Sequence, residues 1–235
     1  EEYIKSYNQN DPELADILIP IGGDGILLKS LHDFNELDKP FFGINYGSIG
    51  FLMNSANSKD LKEVIKNSKS TDLKPLKMTA KDEDNKIYDS IAYNEVSLMR
   101  QSHQASKFQI KINETTRMKE LICDGVLVST SAGSTAYNLS AHGSILPLDS
   151  TLVALTPISA FRPRRWRGAL LSEKNIIEIK VINFKDRKVS VTADNIEFRN
   201  IKEVTIQSSK DKNCKILFDN NHSIEDKILN EQFEY

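Results

Sequence analysis

Three glycines and one carboxylate stand together at Gly22-Gly23-Asp24-Gly25, directly after the apolar run Ala15–Ile21. Glycine lets a backbone turn sharply and approach a ligand closely, because no Cβ intervenes. The residues that follow put Leu27, Leu31 and Phe34 on one helical face. The turn therefore lies between a strand and a helix N-terminus, where free N–H groups and the helix dipole favour phosphate. A carboxylate repels phosphate, so Asp24 suits a base or a metal-side group better than an anion cradle; the alternative is that it merely caps the helix. Two other phosphate patterns fail. Counting from Gly23, both the G-x-x-x-x-G-K P-loop and the dinucleotide G-x-G-x-x-G require glycine where Leu28 stands.

Three further stretches could do chemistry. Asp124–Tyr137 runs from an apolar segment into small and hydroxylated residues, Ser129-Thr130-Ser131-Ala132-Gly133-Ser134-Thr135. Small residues admit a ligand to the backbone, and hydroxyls add directional hydrogen bonds. Tyr137 offers a flat surface for a base or ribose; the alternative is a Ser-rich turn. Asn94-Glu95 interrupts the strand-like Ile91–Met99 and is either an exposed edge or a pair reaching into a site. Phe161-Arg162-Pro163-Arg164-Arg165-Trp166-Arg167 is basic; it either grips phosphate or a neighbouring subunit's acids, or is a solvated loop with Arg–Trp stacking. The four histidines are scattered and neither cysteine has a CxxC partner, so metal-ligand spacing is absent.

The elements that must position these residues fall into two textures. A second apolar run, Phe41–Asn45, ends in another Gly-rich turn, Asn45-Tyr46-Gly47-Ser48-Ile49-Gly50-Phe51-Leu52. Two strands joined by a helix make a β–α–β unit whose glycine turns share one sheet edge, where ligands of such folds bind. Ser58 is expected to cap a helix over 59–69 with Leu61, Val64 and Ile65 inward. After Pro75, alternations such as Ile177, Ile179 and Val181 against Glu178 and Lys180 indicate short strands. The expected fold is an α/β N-terminal domain with a parallel sheet of βαβ units, over 1–75, followed by a predominantly β C-terminal domain over 76–208. The tail, 209–235, is assigned to the first domain, with a strand at Lys215–Phe218 and a helix-like end at Ser223–Phe233.

The chain has 235 residues, 39% hydrophobic and 27% charged, with a net charge of −2. That balance gives no reason to expect nucleic acid or an acidic membrane as partner. Two cysteines make no disulfide framework, and with no apolar run of about 18 residues and no secretory leader pattern, a cytoplasmic protein with reduced thiols is expected.

Taken in order, Gly22-Gly23-Asp24-Gly25, Asn45-Tyr46-Gly47 to Gly50-Phe51-Leu52, Asn94-Glu95, Asp124-Gly125, Gly133-Ser134-Thr135-Ala136-Tyr137 and Leu155-Thr156-Pro157-Ile158 resemble the NAD kinase family, with the arginine stretch similar to its alphaproteobacterial form. The resemblance covers roughly residues 15–220. It implies transfer of the γ-phosphoryl group of ATP, or another donor such as polyphosphate, to the 2′-hydroxyl of NAD's adenosine ribose. It also implies Mg²⁺ carried by the donor phosphates, and a homodimer or homotetramer whose NAD pocket is completed across a subunit boundary. Matched by residue, Asp24 is the general base, and Gly22, Gly23, Gly25 and Gly47 take donor phosphates. NAD would meet Asp24, Gly25, Asn94, Glu95, Asp124, Ala132, Thr135, Ala136, Tyr137, Asn138, Ser140, Asp194 and Asn195. Departures from the family pattern are Ser131-Ala132 in place of Pro-Thr or Pro-Ser, Asn195 in place of Gly, and His142 in place of Gly. The chain also begins after the family's first strand.

Two other function classes share some of these features. A non-catalytic NAD(P) or nucleotide sensor would use the same pocket without needing Asp24. A lipid kinase shares the GGDG turn but would need a basic amphipathic or apolar membrane-facing stretch.

Overall fold

The computed structural model of the chain describes residues 11–47, 50–56 and 60–220, together with Leu229 and Phe233. It divides into two compact units, Glu1–Leu73 with Cys214–Tyr235, and Lys74–Asn213.

The first unit contains β1 (Ile21–Gly22), α1 (Asp24–Phe34), β2 (Ile44–Asn45), β3 (Asn54–Ser55), α2 (Leu61–Lys66) and β4 (Lys69–Leu73). Strands β1, β2 and β3 form a parallel sheet in that order, with Gly22 opposite Asn45 and Asn45 opposite Ser55. The two glycine turns therefore leave the same edge. The run Ala15–Ile21 is expected to be a strand buried on both faces, and it is not. Leu18 and Pro20 are buried, but Ile19 and Ile21 are 37% and 38% exposed. Ladder pairing is reduced to the Leu18–Phe41 bridge and the two residues of β1. Pro20 lies between them and has no N–H to donate, although its carbonyl accepts from Ile44. Helix α1 buries Leu27 and Leu31 on one face.

Helix α2 is shorter than the expected 59–69. Asp60 is its cap, accepting the N–H groups of Lys62 at 3.0 Å and Glu63 at 3.3 Å, while Ser58 lies outside the described residues. The helix closes at Asn67, and Lys69, the last residue of the expected span, opens the strand Lys69–Leu73, which runs antiparallel to β17 (Cys214–Phe218). Leu61 lies in a small core with Phe42 and Ile44, against which Val64, Ile65 and Leu217 pack. The helix-like Ser223–Phe233 falls outside the described residues except for Leu229 and Phe233, both helical.

The second unit begins with β5 (Leu76–Asp82), β6 (Ile87–Ala92), β7 (Glu95–Arg100), β8 (Ser106–Ile112), β9 (Thr115–Cys123) and β10 (Gly125–Ser129). After a 3₁₀ turn (Ala132–Thr135) and the short α3 (Tyr137–Ser140) come β11 (Leu152–Ile158), β12 (Ala169–Ser172), β13 (Ile177–Val181), β14 (Val189–Ala193), β15 (Ile196–Phe198) and β16 (Ile201–Ser208). Two six-stranded sheets result, in the orders β12-β11-β10-β7-β14-β15 and β6-β5-β16-β13-β8-β9. Every strand pairing within them is antiparallel. Val96, Leu98, Val126, Val128, Val189 and Val191 of the first sheet share one core with Phe108, Ile110, Ile177, Ile179, Val204 and Ile206 of the second. Alternating apolar residues on each strand fill the space between the sheets. The stretch Ile91–Met99 is two strands rather than one: β6 ends at Ala92 in one sheet and β7 starts at Glu95 in the other.

Candidate functional site

In the first unit, the turn between β1 and α1 is built by close approach and by a crosslink. A Cβ on Gly22 would come within 2.8 Å of Ile26 Cγ1, so the strand end lies tightly on the helix's first turn. At Gly23 and Gly25 a Cβ would meet nothing within 4 Å. Packing among the described residues does not require glycine there, and the bare backbone faces open space. Asp24 is the first residue of α1 and not its cap: the cap is Gly23, with no side-chain hydrogen bond. The Asp24 carboxylate instead accepts the N–H groups of Phe51 at 2.8 Å and Leu52 at 3.0 Å. One carboxylate thereby ties the first glycine turn to the second. Gly47 N–H donates to Asn45 Oδ1 at 2.9 Å, and Tyr46 N–H to the Gly22 carbonyl at 2.8 Å. Gly22, Gly23, Asp24, Gly25 and Gly47 are thus brought together.

In the second unit, three stretches far apart in sequence meet at the Tyr93-Asn94 corner. Asp194 carboxylate oxygens accept the N–H groups of Tyr93 at 2.7 Å, Asn94 at 2.9 Å and Glu95 at 3.2 Å. Those donors would otherwise continue a ladder, which is why the strand breaks here. From the other side, Thr130 Oγ1 donates to the Tyr93 carbonyl at 2.6 Å and Thr130 N–H to the Asn94 carbonyl at 2.9 Å. Gly133 N–H donates to Thr130 Oγ1 at 3.0 Å. A Cβ on Gly133 would overlap the Asn94 backbone, so only glycine lets the loop lie so close.

Glu95 is not on an exposed edge. It opens β7, which is flanked by β10 and β14, and its Oε2 is buried with no hydrogen-bond partner among the described residues. Burial, and then the charge of Asp194, push its carboxyl up to about 7. Tyr137 is partly buried, its hydroxyl 3.6 Å from Met99 Sδ. Burial raises its phenol, with the charges of Glu95 and Asp124 adding to the effect. Asp124, at the β9–β10 junction, pairs with Arg100 at 2.7 Å. Asn94, Glu95, Asp124, Tyr137 and Asp194 therefore surround one region, with Ala132, Thr135 and Ala136 in the adjoining turn.

Asn138 is fully buried and occupied at both ends. Its Nδ2 donates to the Ser134 and Ser144 carbonyls, at 3.1 and 2.9 Å, and its Oδ1 accepts from Thr156 Oγ1 at 2.7 Å. Ser140 is exposed at the end of α3. Asn195 is the second residue of the two-residue loop that joins Ala193 to its partner Ile196. The sequence names Thr130 and Thr156 only within longer stretches and carries no signal for Arg100, whose partner Asp124 lies 24 residues away.

In the arginine stretch the guanidiniums of Arg162 and Arg164 lie over Phe161, at 5.4 and 5.1 Å, rather than over Trp166, which packs on the β core. The stacking expected with Trp166 is thereby corrected: core burial takes the indole and leaves the exposed phenyl to the cations.

The profile of the ATP-NAD kinase N-terminal domain matches residues 2–72, and that of the ATP-NAD kinase C-terminal domain matches 93–218. The NAD kinase of Rickettsia canadensis is 52% identical over 233 residues, 99% of this chain and 91% of its own length. The chain belongs to the NAD kinase family. The NAD kinase of Rickettsia bellii is 50% identical over the same shares. Among solved structures, a yeast NADH kinase complexed with NADH superposes with a TM-score of 0.80 at 25% identity, over 99% of this chain and 75% of that one. An Archaeoglobus fulgidus NAD kinase in complex with ATP has a TM-score of 0.77 at 24% identity, over 98% and 91%, a likeness of fold. The family is one of phosphotransferases, and its fold of a parallel-sheet part and an antiparallel β part is the fold seen here.

Proposed function

We propose that this chain transfers the γ-phosphoryl group of ATP to the 2′-hydroxyl of the adenosine ribose of NAD, giving NADP and ADP. The observation that carries the reading is the Gly22–Gly25 turn: backbone open to a ligand at Gly23 and Gly25, with a fixed carboxylate at Asp24 between them. Phosphoryl transfer needs positioning and charge neutralisation more than covalent help. The 2′-oxygen attacks the γ-phosphorus, the bond to the β-phosphate oxygen breaks, and Asp24 accepts the hydroxyl proton late, when that proton has become acidic.

Donor phosphates would lie against Gly22, Gly23, Gly25 and Gly47. NAD would be held by Asp24 and Gly25 at the reacting ribose, and by Asn94, Glu95, Asp124, Ala132, Thr135, Ala136, Tyr137, Asp194 and Asn195. Asn138 and Ser140 would act through the loop they shape. No group of three His, Cys, Asp or Glu among the described residues could cage a metal, and the turn itself carries no Lys or Arg. A triphosphate beside Asp24 still needs a countercharge, and Mg²⁺ arriving on the donor's own oxygens supplies it.

Among the described residues no helix is long and apolar enough to cross a membrane. The enzyme is expected in the cytoplasm as a homodimer or homotetramer, with Thr156-Pro157-Ile158 and the arginine stretch at a subunit boundary. Light scattering that finds only fully active monomer would contradict this assembly. The activity itself is tested with purified protein, ATP, Mg²⁺ and NAD, followed by an NADP-specific dehydrogenase. A sensor would bind NAD and form no NADP.

A further inference from the structure

We propose that Asp194 is a positioning residue, which holds the Tyr93-Asn94-Glu95 corner for the ribose and couples NAD binding to loss of the Glu95 proton. The proposal rests on reading the second unit as an NAD site. Asp194 occupies the first position of the two-residue loop between β14 and β15, at φ 51°, a left-handed conformation that Asp tolerates. That conformation turns its carboxylate back onto three successive N–H groups, while its own N–H donates to the Glu95 carbonyl at 3.1 Å. The corner is therefore clamped through both the side chain and the backbone of one residue.

The clamp also sets a second carboxylate beside the first. Glu95 Oε2 is enclosed and makes no hydrogen bond among the described residues, although enclosed polar atoms are almost always partnered. An acceptor left in that state is suited to a donor brought by a ligand, and the hydroxyls of a ribose are such donors. They bond best to the ionised carboxylate. Burial and the Asp194 charge favour its protonated form, with an apparent value of about 7. The other ionisable groups here are Tyr137, which feels both Glu95 and Asp124, and Asp124, which is paired with Arg100. Binding NAD then expels one proton from Glu95 to the buffer.

The test is NAD affinity against pH, measured by calorimetry on the whole chain in two buffers of different ionisation enthalpy. One unit either side of the midpoint, from pH 6 to pH 8, the parent is expected to gain about tenfold in affinity. Near pH 6.5 it should release well over half a proton per NAD bound, and Glu95→Gln should release none. Asp194→Asn keeps the left-handed turn and an acceptor oxygen but loses the charge, so its midpoint should move to lower pH. A purely structural role would weaken binding equally at every pH and leave the midpoint in place. Asp194→Gly, which also tolerates that φ, gives the same readout should the Asn variant not fold. A flat parent profile, no proton release, or an unmoved midpoint in the variants overturns the proposal. A parent that binds no NAD at any pH overturns the site reading and the proposal with it.

Discussion

Relative to the parent, Glu95→Gln should gain stability as pH rises from acid to neutral. The Glu95 carboxyl stands at about 7 in the fold against an ordinary 4.5. Because the folded value is raised, its contribution is fully present below pH 4.5 and is lost as pH rises through 7. The rise from 4.5 to about 7 corresponds to about 3 kcal/mol, taking roughly 1.36 kcal/mol for each factor of ten in acidity. Gln carries no ionisation, so the parent should fall behind the variant progressively between pH 4.5 and 7, then run parallel to it. A chain of this size moves by about 2 to 4 °C in melting temperature per kcal/mol, so the gap should widen by roughly 6 to 12 °C. The new amide places a donor in an enclosed position, which costs about 1–3 kcal/mol at all pH values. The diagnostic is therefore the change of the gap with pH and not its size at one pH. Thermal melts followed by far-UV circular dichroism from pH 4.5 to 8 read it. A gap constant across that range would refute the claim that Glu95 is held protonated by its surroundings.

Asp24→Asn keeps one acceptor for the Phe51 and Leu52 N–H groups and loses the other, so NAD affinity should fall only modestly while kcat falls by about 10² to 10⁴, the range of a lost acid–base group, read by calorimetry and the coupled assay on one preparation. Gly23→Ala should melt like the parent, since its Cβ meets nothing in the described protein, yet raise KM for ATP; an unchanged KM would remove the phosphate from that turn. Gly133→Ala should lose about 1–3 kcal/mol of stability because the Cβ overlaps the Asn94 backbone, and NAD binding should fall with it. His142, at φ 62° where the family resemblance expects glycine, should become more stable on replacement by Gly, by roughly 1 kcal/mol in denaturant titration.

Much of the fold class was legible because its signals are local. Glycine turns after apolar runs, and period-two alternation in strands such as Ile177–Val181, report directly on backbone and burial. What was not legible depends on partners far away in sequence. Lys69 reads as a helix end until β17 pairs with the strand that it opens. Ile91–Met99 reads as one strand because nothing local announces that Asp194, about a hundred residues on, will take the N–H groups of Tyr93 and Asn94. For the same reason Asn94-Glu95 reads as a polar edge, and a helix cap stays open as the alternative for Asp24. Its bonds to Phe51 and Leu52 span 27 and 28 residues, a separation over which no cap signature operates. Asn138 follows from the family pattern, but its buried amide is explained by Thr156 and by the Ser134 and Ser144 carbonyls.

The most direct test of the central claim is phosphorus NMR of NAD and ATP incubated with the purified chain and Mg²⁺. ADP and a new phosphomonoester resonance are expected to appear together, in equal amounts, with the new phosphate on the 2′-position of the adenosine ribose. NAD recovered unchanged from a protein shown to bind it would contradict the account.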